Sequence, residues 1–328
     1  MTPALHRRQL LLGAASLASP ALVRAQSASA RVVVVGGGFG GATVARYLRA
    51  WAPQVEVTLV EPATRFITCP FSNHVLAGLR SWDSISHGFD GLRAAGVRVV
   101  HALAEDVDSQ RRCVRLHTGQ ELPWDRLVLS PGVDMRWGAL EGYDETAAEL
   151  APHAWKAGPQ TLLLRRQLQA MPDSGVFVMV IPDNPFRCPP GPYERASLVA
   201  HYLRQHKPRS KLLLLDAKNN FSKKELFLQG WKALYGGMVE WVSIAQDGQV
   251  VRVDAQAREV ETAFGARHRA DVLNVIPPQK AGLIAERAGV VDASGWAPVR
   301  GEDFASQQVA GIHVLGDAAL AGPIPKSG

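Results

Sequence analysis

Three glycines and one carboxylate near the start of the chain have the types and the spacing that a dinucleotide site needs. Gly36, Gly38 and Gly41 follow the β-branched run Arg31–Val35, which is typical of a buried parallel strand. Glycines at these positions let backbone N–H groups approach a pyrophosphate at the N-terminus of the next helix. Glu61 lies twenty residues after Gly41, where a carboxylate can bind an adenosine ribose. The spacing therefore predicts dinucleotide binding.

A second group of residues indicates that the dinucleotide is FAD. Gly316 and Asp317 form a turn after a predicted strand, and a carboxylate at such a turn can reach a ribityl hydroxyl of a flavin. Pro131 and Gly132 end another predicted strand, where the chain reverses close to the cofactor. Phe39, within the glycine turn, is a further expected contact. Because both ends of the chain contribute to one site, FAD is the predicted cofactor.

One cysteine in a proline-rich loop is the main candidate for chemistry at sulfur. A buried strand leads into residues 182–194, which hold Cys188 and five prolines. Prolines remove backbone donors, so this loop is not suited to the pyrophosphate of NAD(P)H. Arg187 and the N-terminus of the following helix are expected to lower the pKa of Cys188, and Glu194 is a candidate acid or base. A structural cysteine and a solvated carboxylate are the alternatives.

The two other cysteines differ in their surroundings. Cys69 follows the second predicted strand of the nucleotide domain, in a loop that runs beside the isoalloxazine ring in this fold. Its thiol is a candidate for covalent attachment to the flavin or for action on the ring, and a small buried residue is the alternative. Cys113 lies in a predicted hairpin and is interpreted as structural. Three cysteines are an odd number, so at least one is free, bound to a cofactor or paired outside the chain.

The predicted elements that position these residues define an α/β protein with two Rossmann-like domains, each a doubly wound and mostly parallel sheet. Residues 31–150 are predicted to form the first part of an FAD-binding domain. Residues 151–270 are predicted to form a second Rossmann-like domain without the NAD fingerprint, with buried strands at 176–181 and 211–216 and short strands at 239–244 and 250–253. The chain is expected to return to the FAD-binding domain over residues 271–328, beginning with a strand at 272–276. No segment after the first 25 residues has the roughly 18–20 consecutive apolar residues that span a bilayer.

Residues 1–25 are predicted to be a targeting segment. Arg7 and Arg8 precede an apolar stretch that runs to Leu22, and a small-residue cleavage site follows at Ala25. The twin arginine indicates Tat export of a folded protein to the periplasm; a Sec signal or an uncleaved anchor is the alternative. No basic run of the nucleic-acid-binding type remains in the rest of the chain, so nucleic acid is not an expected partner.

Together these motifs resemble the flavoprotein subunit of flavocytochrome c sulfide dehydrogenase, within the wider group of sulfide:quinone oxidoreductases and FAD-dependent pyridine nucleotide-disulfide oxidoreductases. The resemblance covers nearly the whole chain after the targeting segment. Its most specific part is the run Cys-Pro-Pro-Gly-Pro-Tyr-Glu at residues 188–194. The other matching segments are 36–41, 68–70 and 316–318.

The resemblance implies oxidation of sulfide or another small sulfur donor, with electrons passed through FAD to the haem of a c-type cytochrome subunit. Cys69 matches the position at which the family attaches FAD through a thioether. Cys188 matches one half of a redox disulfide, and Glu194 matches a carboxylate near it. The family's other redox cysteine belongs to a C-terminal interface region downstream of the Gly-Asp turn. We therefore expect this chain, which stops at Gly328, to be truncated.

Three alternatives remain open. A sulfide:quinone oxidoreductase is opposed by the export signal and by the lack of an amphipathic membrane-binding helix, although such a helix would lie in the missing region. An NAD(P)H-dependent disulfide reductase is opposed by the proline loop and by the lack of a Cys-x-x-x-x-Cys pair. A flavin-binding electron-transfer or assembly partner would carry out no sulfur chemistry, and mutation of Cys188 separates it from the enzymes.

Overall fold

Two parallel sheets of different size organise the molecule, as a computed structural model of residues 29–322, 324 and 326 describes it. The predicted targeting segment lies outside the described residues. Both sheets are covered by helices, so the predicted α/β fold class is confirmed. Within the described part of the chain, no helix combines the length and the apolar composition that crossing a bilayer requires.

The first domain is built on a five-stranded parallel sheet. Its central strand has the predicted β-branched sequence, and Val34 within it is fully buried. In spatial order the strands are Ile312–Val314, Arg126–Leu129, Arg31–Val35, Glu56–Val60 and Arg98–Val100. The helices of this domain are Phe39–Trp51, Ser72–Leu76, Asp90–Ala94 and Leu283–Arg287, with 3-10 turns at Asp83–Ile85 and Gly316–Ala318.

Short strands complete the first domain. The predicted hairpin around Cys113 is present, and a third, unpredicted strand extends it to an antiparallel sheet. This sheet consists of Ala104–Asp108, Cys113–Leu116 and Glu121–Pro123. Two further pairs are Phe66–Ile67 with Ser86–His87, and Ala297–Pro298 with Ala319–Leu320.

The second domain is built on a four-stranded parallel sheet with a nearly continuous apolar core. Its strands, in spatial order, are Val239–Val242, Lys211–Asp216, Val176–Ile181 and Val272–Val275. Its helices are Pro159–Ala170, Gly191–His206 and Lys224–Tyr235, with 3-10 turns at Ala147–Glu149 and Ile244–Gln246. An antiparallel sheet of Val250–Asp254, Glu259–Thr262 and Arg267–Arg269 lies beside it.

The connection between the domains corrects one predicted boundary. Val272–Val275 pairs in parallel with Val176–Ile181 in the second sheet, so the chain returns to the first domain after Val275 and not at residue 271. A short apolar strand fits either parallel sheet equally well, which is why its composition did not decide the assignment. The chain leaves the first domain through strand Val133–Met135 and returns to it through strand Gln279–Ala281. These two strands pair antiparallel and form a two-stranded connection between the domains.

Candidate active site

The glycine turn of the first domain is shaped by close backbone contacts. Gly36 has a φ of +100°, and a Cβ there would lie 2.2 Å from the carbonyl oxygen of Ser130. A Cβ on Gly41 would lie 1.8 Å from the carbonyl oxygen of Gly36. At Gly38 the nearest atom to a Cβ would be a ring carbon of Phe66, 3.5 Å away, an ordinary contact distance. Gly36 and Gly41 are therefore required by packing.

The helix that follows the turn begins with open backbone donors. Helix Phe39–Trp51 has no acidic residue in its first turn and no side-chain cap at Gly38. Its first N–H groups therefore have no intrahelical or side-chain acceptor, and such groups bind phosphate. This is the feature that a pyrophosphate requires of the glycine turn.

A cleft of suitable size lies beside the turn. It consists of a cavity of about 460 Å³ and a neighbouring one of about 490 Å³, and ligand sites of about 300–1,000 Å³ are typical. Glu61 accepts hydrogen bonds from the N–H groups of Gly37 at 2.7 Å and Ala63 at 2.9 Å, so its carboxylate is fixed at the rim. Nine of the ten residues expected to contact the cofactor line this cleft: Gly36, Gly38, Phe39, Glu61, Cys69, Pro131, Gly132, Gly316 and Asp317.

The tenth, Gly41, acts by allowing the helix to pack against the turn. The residues present therefore fit FAD, since the turn and the helix end suit the pyrophosphate and Glu61 suits the ribose. Asp317, buried at the far side of the cleft, suits the ribityl chain.

In the second domain, the position that corresponds to Glu61 is held by Asp216 and is closed to a nucleotide. Asp216 ends the strand Lys211–Asp216 and is 0% exposed. Its carboxylate accepts hydrogen bonds from Tyr193 Oη at 2.6 Å, Trp241 Nε1 at 2.9 Å and Lys218 Nζ at 2.6 Å. The ring of Tyr193 stacks on Phe221 with 3.5 Å between centroids. The carboxylate at the ribose-binding position is therefore buried beneath aromatic rings and already accepts three hydrogen bonds.

Cys69 and Cys188, which are distant in sequence, meet in a smaller cavity between the two domains. We call it the cysteine cavity; it has a volume of about 230 Å³. Its lining residues are Cys69, Pro70, Ser72, Asn73, Trp155, Arg187, Cys188, Gly191, Glu194 and Arg195. Cys69 and Arg187 also line the flavin cleft, so the cavity and the cleft adjoin each other.

The backbone around Cys188 is held in an unusual conformation. Cys188 has a φ of +57°, in the left-handed region that non-glycine residues occupy at a cost of about 1–2 kcal/mol. Its N–H donates to the carbonyl oxygen of Lys326 at 2.6 Å, and its carbonyl accepts from Gly191 N–H at 2.8 Å. A Cβ on Gly191 would lie 2.9 Å from the ring of Trp155 and 3.1 Å from Cys188 Sγ. Gly191 therefore leaves the room that the thiol occupies.

The expected lowering of the Cys188 pKa is wrong. Burial, followed by the negative charge of Glu194 and the neighbouring Cys69, raises the pKa of Cys188 to about 11. Arg187 opposes this shift but is the smallest of the causes. Burial also raises the pKa of Cys69, against the opposing charge of Arg187. Both thiols are therefore neutral at neutral pH, because desolvation of a thiolate outweighs its attraction to a single guanidinium.

The other predicted site residues are placed as follows. Glu194 is exposed and lines the mouth of the cysteine cavity, so it is brought together with Cys188. Cys113 is buried in the antiparallel sheet of the first domain, in neither the cleft nor the cysteine cavity. Arg195 and Trp155 also line the cysteine cavity and were not among the predicted site residues. Arg195 directly follows Glu194 in the most specific motif, which was the available signal, whereas Trp155 had none.

Comparisons with known proteins agree with this architecture. Residues 161–277 match the family described as the central part of the flavoprotein chain of sulfide dehydrogenase [flavocytochrome c]. Residues 30–166 match the pyridine nucleotide-disulphide oxidoreductases. The sulfide:quinone oxidoreductase of Aquifex aeolicus has a similar structure, with a TM-score of 0.74 and 21% identity over 91% of this chain and 71% of that chain.

Two curated relatives extend the comparison. The chain is 71% identical over 45 residues to a sulfide dehydrogenase [flavocytochrome c] flavoprotein chain from Chlorobaculum thiosulfatiphilum, which is 14% of this chain and 94% of that sequence. It is 22% identical over 302 residues to the mitochondrial sulfide:quinone oxidoreductase of Mus musculus. That alignment covers 87% of this chain and 65% of the mouse protein, so the chain spans just under two thirds of this relative.

The fold and the cleft are those of the FAD-binding pyridine nucleotide-disulphide oxidoreductase class, and FAD is the cofactor. Within this class, the chain belongs to the family of flavocytochrome c sulfide dehydrogenase flavoprotein chains.

Proposed function

We propose that the protein oxidises sulfide at Cys188 and passes the electrons through FAD to a c-type cytochrome subunit. The observation that carries this proposal is the cysteine cavity, which places Cys188 against the flavin cleft while the nucleotide position of the second domain is filled by its own side chains. A reductant therefore reaches the flavin from the cysteine side, and that reductant is a small sulfur compound.

The residues of the chain have distinct roles in this reaction. Hydrosulfide attacks Cys188 when its sulfur is part of a disulfide; the S–S bond breaks, a persulfide forms on Cys188 and the partner cysteine leaves as a thiolate. On the family resemblance, we propose that this partner is a cysteine of the C-terminal interface region that follows the Gly-Asp turn. Glu194, exposed at the mouth of the cavity, exchanges protons with solvent. FAD, which Glu61, Asp317 and the glycine turn would hold in the cleft, would supply the acceptor for the two electrons that the sulfide sulfur loses.

We further propose that Cys69 attaches covalently to FAD. Cys69 lines both the flavin cleft and the cysteine cavity, so its side chain is available to a ring in the cleft. Acid denaturation of the wild-type protein is expected to leave the flavin with the polypeptide. The variant Cys69→Ser is expected to release it, and flavin in the supernatant of the wild type would contradict the link.

The electron acceptor separates the leading proposal from its main alternative. Similarity to mitochondrial and bacterial sulfide:quinone oxidoreductases favours a quinone as a second candidate. Sulfide-driven reduction of a c-type cytochrome and of a short-chain ubiquinone can be compared with the same enzyme. We propose that the protein is exported to the periplasm by the Tat route, where soluble c-type cytochromes are available, and we therefore expect the cytochrome to be reduced faster. A faster quinone reaction would select the alternative.

The role of Cys188 is tested by anaerobic bleaching of the flavin absorbance with sulfide. Cys188→Ser is expected to slow bleaching by at least about a hundredfold, because nucleophilic covalent chemistry at that position is lost. Cys113→Ser is the matched control, since Cys113 lies in neither the cleft nor the cysteine cavity. Bleaching of Cys188→Ser at the wild-type rate would contradict the proposal and favour a flavin-binding partner without sulfur chemistry.

A further inference from the structure

The cysteine cavity has two arginines in its wall. Arg187 forms a long ion pair with Asp317, and Arg195 pairs with no carboxylate among the described residues. Arg195 is 2% exposed. Its guanidinium donates only to uncharged oxygens: Asn73 Oδ1 at 2.9 Å, Asn274 Oδ1 at 3.0 Å, and the carbonyls of His153 at 2.9 Å and Ala154 at 2.6 Å. Four of its five N–H donors are used in this way. One Nη2 hydrogen remains, and the positive charge, which lies 4.8 Å from the centroid of the Trp155 ring, has no carboxylate partner within the part of the chain that the structure describes.

Arg187 lies between the cysteine cavity and the flavin cleft and also has an open donor. Its side chain is 11% exposed, and its Nε is 3.9 Å from Asp317 Oδ2, beyond hydrogen-bond length. Its Nη2 is buried, with no hydrogen-bond partner among the described residues. Its backbone is fixed by Gln279, which accepts from Arg187 N–H at 3.0 Å, and by Trp155 Nε1, which donates to its carbonyl at 3.2 Å.

The remaining groups of the cavity leave this positive charge available. Cys188 is a neutral thiol at neutral pH, since burial raises its pKa to about 11. The negative charge of Glu194 contributes to the raised pKa of Cys188, but Glu194 is exposed at the mouth, where solvent screens it more than the arginines in the wall. Buried cations and unpaired donors are costly unless an anion or acceptor compensates them. The unpaired Nη2 group of Arg187 and the remaining donor of Arg195 are therefore the features of an anion site.

We propose that the cysteine cavity is an anion-binding site in which Arg187 and Arg195 select the ionised form of a small sulfur compound, hydrosulfide, over neutral hydrogen sulfide. The volume of about 230 Å³ corresponds to several water molecules, so it admits a small anion and excludes bulky thiols. The identity of the anion depends on the proposed function, whereas the anion site itself is independent of it.

The charge of the cavity can be measured without sulfide and without turnover. Iodoacetate and iodoacetamide differ mainly in charge, and mass spectrometry after mild reduction gives the rate of each at Cys188. In the wild type we expect the iodoacetate-to-iodoacetamide ratio to exceed that of mercaptoethanol by about tenfold, because a nearby cation favours the anionic reagent. Arg187→Met is expected to remove most of this preference, and Arg187→Lys to keep it.

Controls make the outcome decisive. Arg166→Met removes an exposed arginine outside the cavity and is expected to leave the ratio unchanged. A wild-type ratio equal to that of mercaptoethanol, or an unchanged ratio in Arg187→Met, would overturn the anion site. Should Arg187→Met fail to fold, thiocyanate provides a second measurement: it is expected to slow labelling of wild-type Cys188, and no slowing overturns the proposal. Neither measurement uses sulfide. Failure of the proposed sulfide oxidation would be detected separately, as a flavin absorbance that sulfide does not bleach.

Discussion

The two domains have the same strand–turn–helix arrangement at the same place in their sheets, yet only one of them is open to a dinucleotide. In the first domain, glycines bring the backbone close to the cleft and Glu61 is fixed at its rim by two backbone N–H groups. In the second domain, five prolines occupy the loop and Asp216 is fully buried. The fold alone therefore does not decide which cofactor a domain binds; the side chains at the ends of the strands do.

This difference supports the division of roles in the proposed reaction. In that proposal the first domain binds the cofactor that would accept the electrons. The second domain has replaced a nucleotide site with the loop that presents Cys188 to the cavity between the domains. Asp216 also stabilises that loop, because Tyr193 of the same segment donates a hydrogen bond to its carboxylate at 2.6 Å.

The largest expected effect comes from filling the turn of the open domain. In Gly41→Ala the new Cβ would lie 1.8 Å from the carbonyl oxygen of Gly36, so the helix and the turn must separate. We expect nearly complete loss of bound flavin, measured as the ratio of flavin to protein absorbance after purification. Gly91→Ala is the control, because a Cβ there has no neighbour within 4 Å. Full flavin content in Gly41→Ala would refute the packing role of this glycine.

A smaller but still large loss of stability is expected when Asp216, at the closed nucleotide position of the second domain, is replaced. Asp216→Asn leaves Lys218 buried without its carboxylate, and breaking a buried pair in this way costs about 3–5 kcal/mol. Urea unfolding followed by tryptophan fluorescence measures this loss. Glu121→Gln breaks an exposed pair with Arg111 and is expected to leave the midpoint nearly unchanged. Equal midpoints for the two variants would mean that the Asp216 network does not support the second domain.

The pH dependence of Cys188 alkylation sharpens the contrast between the loop and an ordinary thiolate site. Because the pKa of Cys188 is raised to about 11, its thiolate fraction, and so its rate with iodoacetamide, should rise about tenfold per pH unit through neutral and mildly alkaline pH. Glu194→Gln removes a negative charge that raises this pKa, so the midpoint should shift to lower pH. A wild-type midpoint below the ordinary thiol value would contradict the neutral resting thiol.

Much of the fold followed from local patterns in the sequence. Strands Val176–Ile181 and Lys211–Asp216 have the predicted bounds, because a continuous apolar run of only four to eight residues between turn residues is typical of a buried strand. The strand Val272–Val275 was assigned to the wrong sheet, because its pairing partner is set by packing between distant segments. The antiparallel sheet around Glu259–Thr262 was only partly predicted, since its strands are short and mixed in polarity.

The candidate site was predictable where a motif carries the chemistry and unpredictable where burial decides it. The cleft residues and the positions of Cys69 and Cys188 followed from spacing and from the family resemblance. The sign of the Cys188 pKa shift did not, because neighbours along the chain suggested a cation and a helix end, whereas desolvation in the folded protein dominates. The meeting of Cys69 with Cys188 and Arg195 is likewise a product of the contact between the domains.

The most direct test of the account is an anaerobic titration of the wild-type flavin with sulfide and, in parallel, with NADH. The open first domain, the closed second domain and the adjoining cysteine cavity predict that sulfide bleaches the flavin absorbance and that NADH does not. Bleaching by NADH with no response to sulfide would contradict the account, because it would require a nucleotide to reach the flavin through a position occupied by Asp216 and its aromatic neighbours.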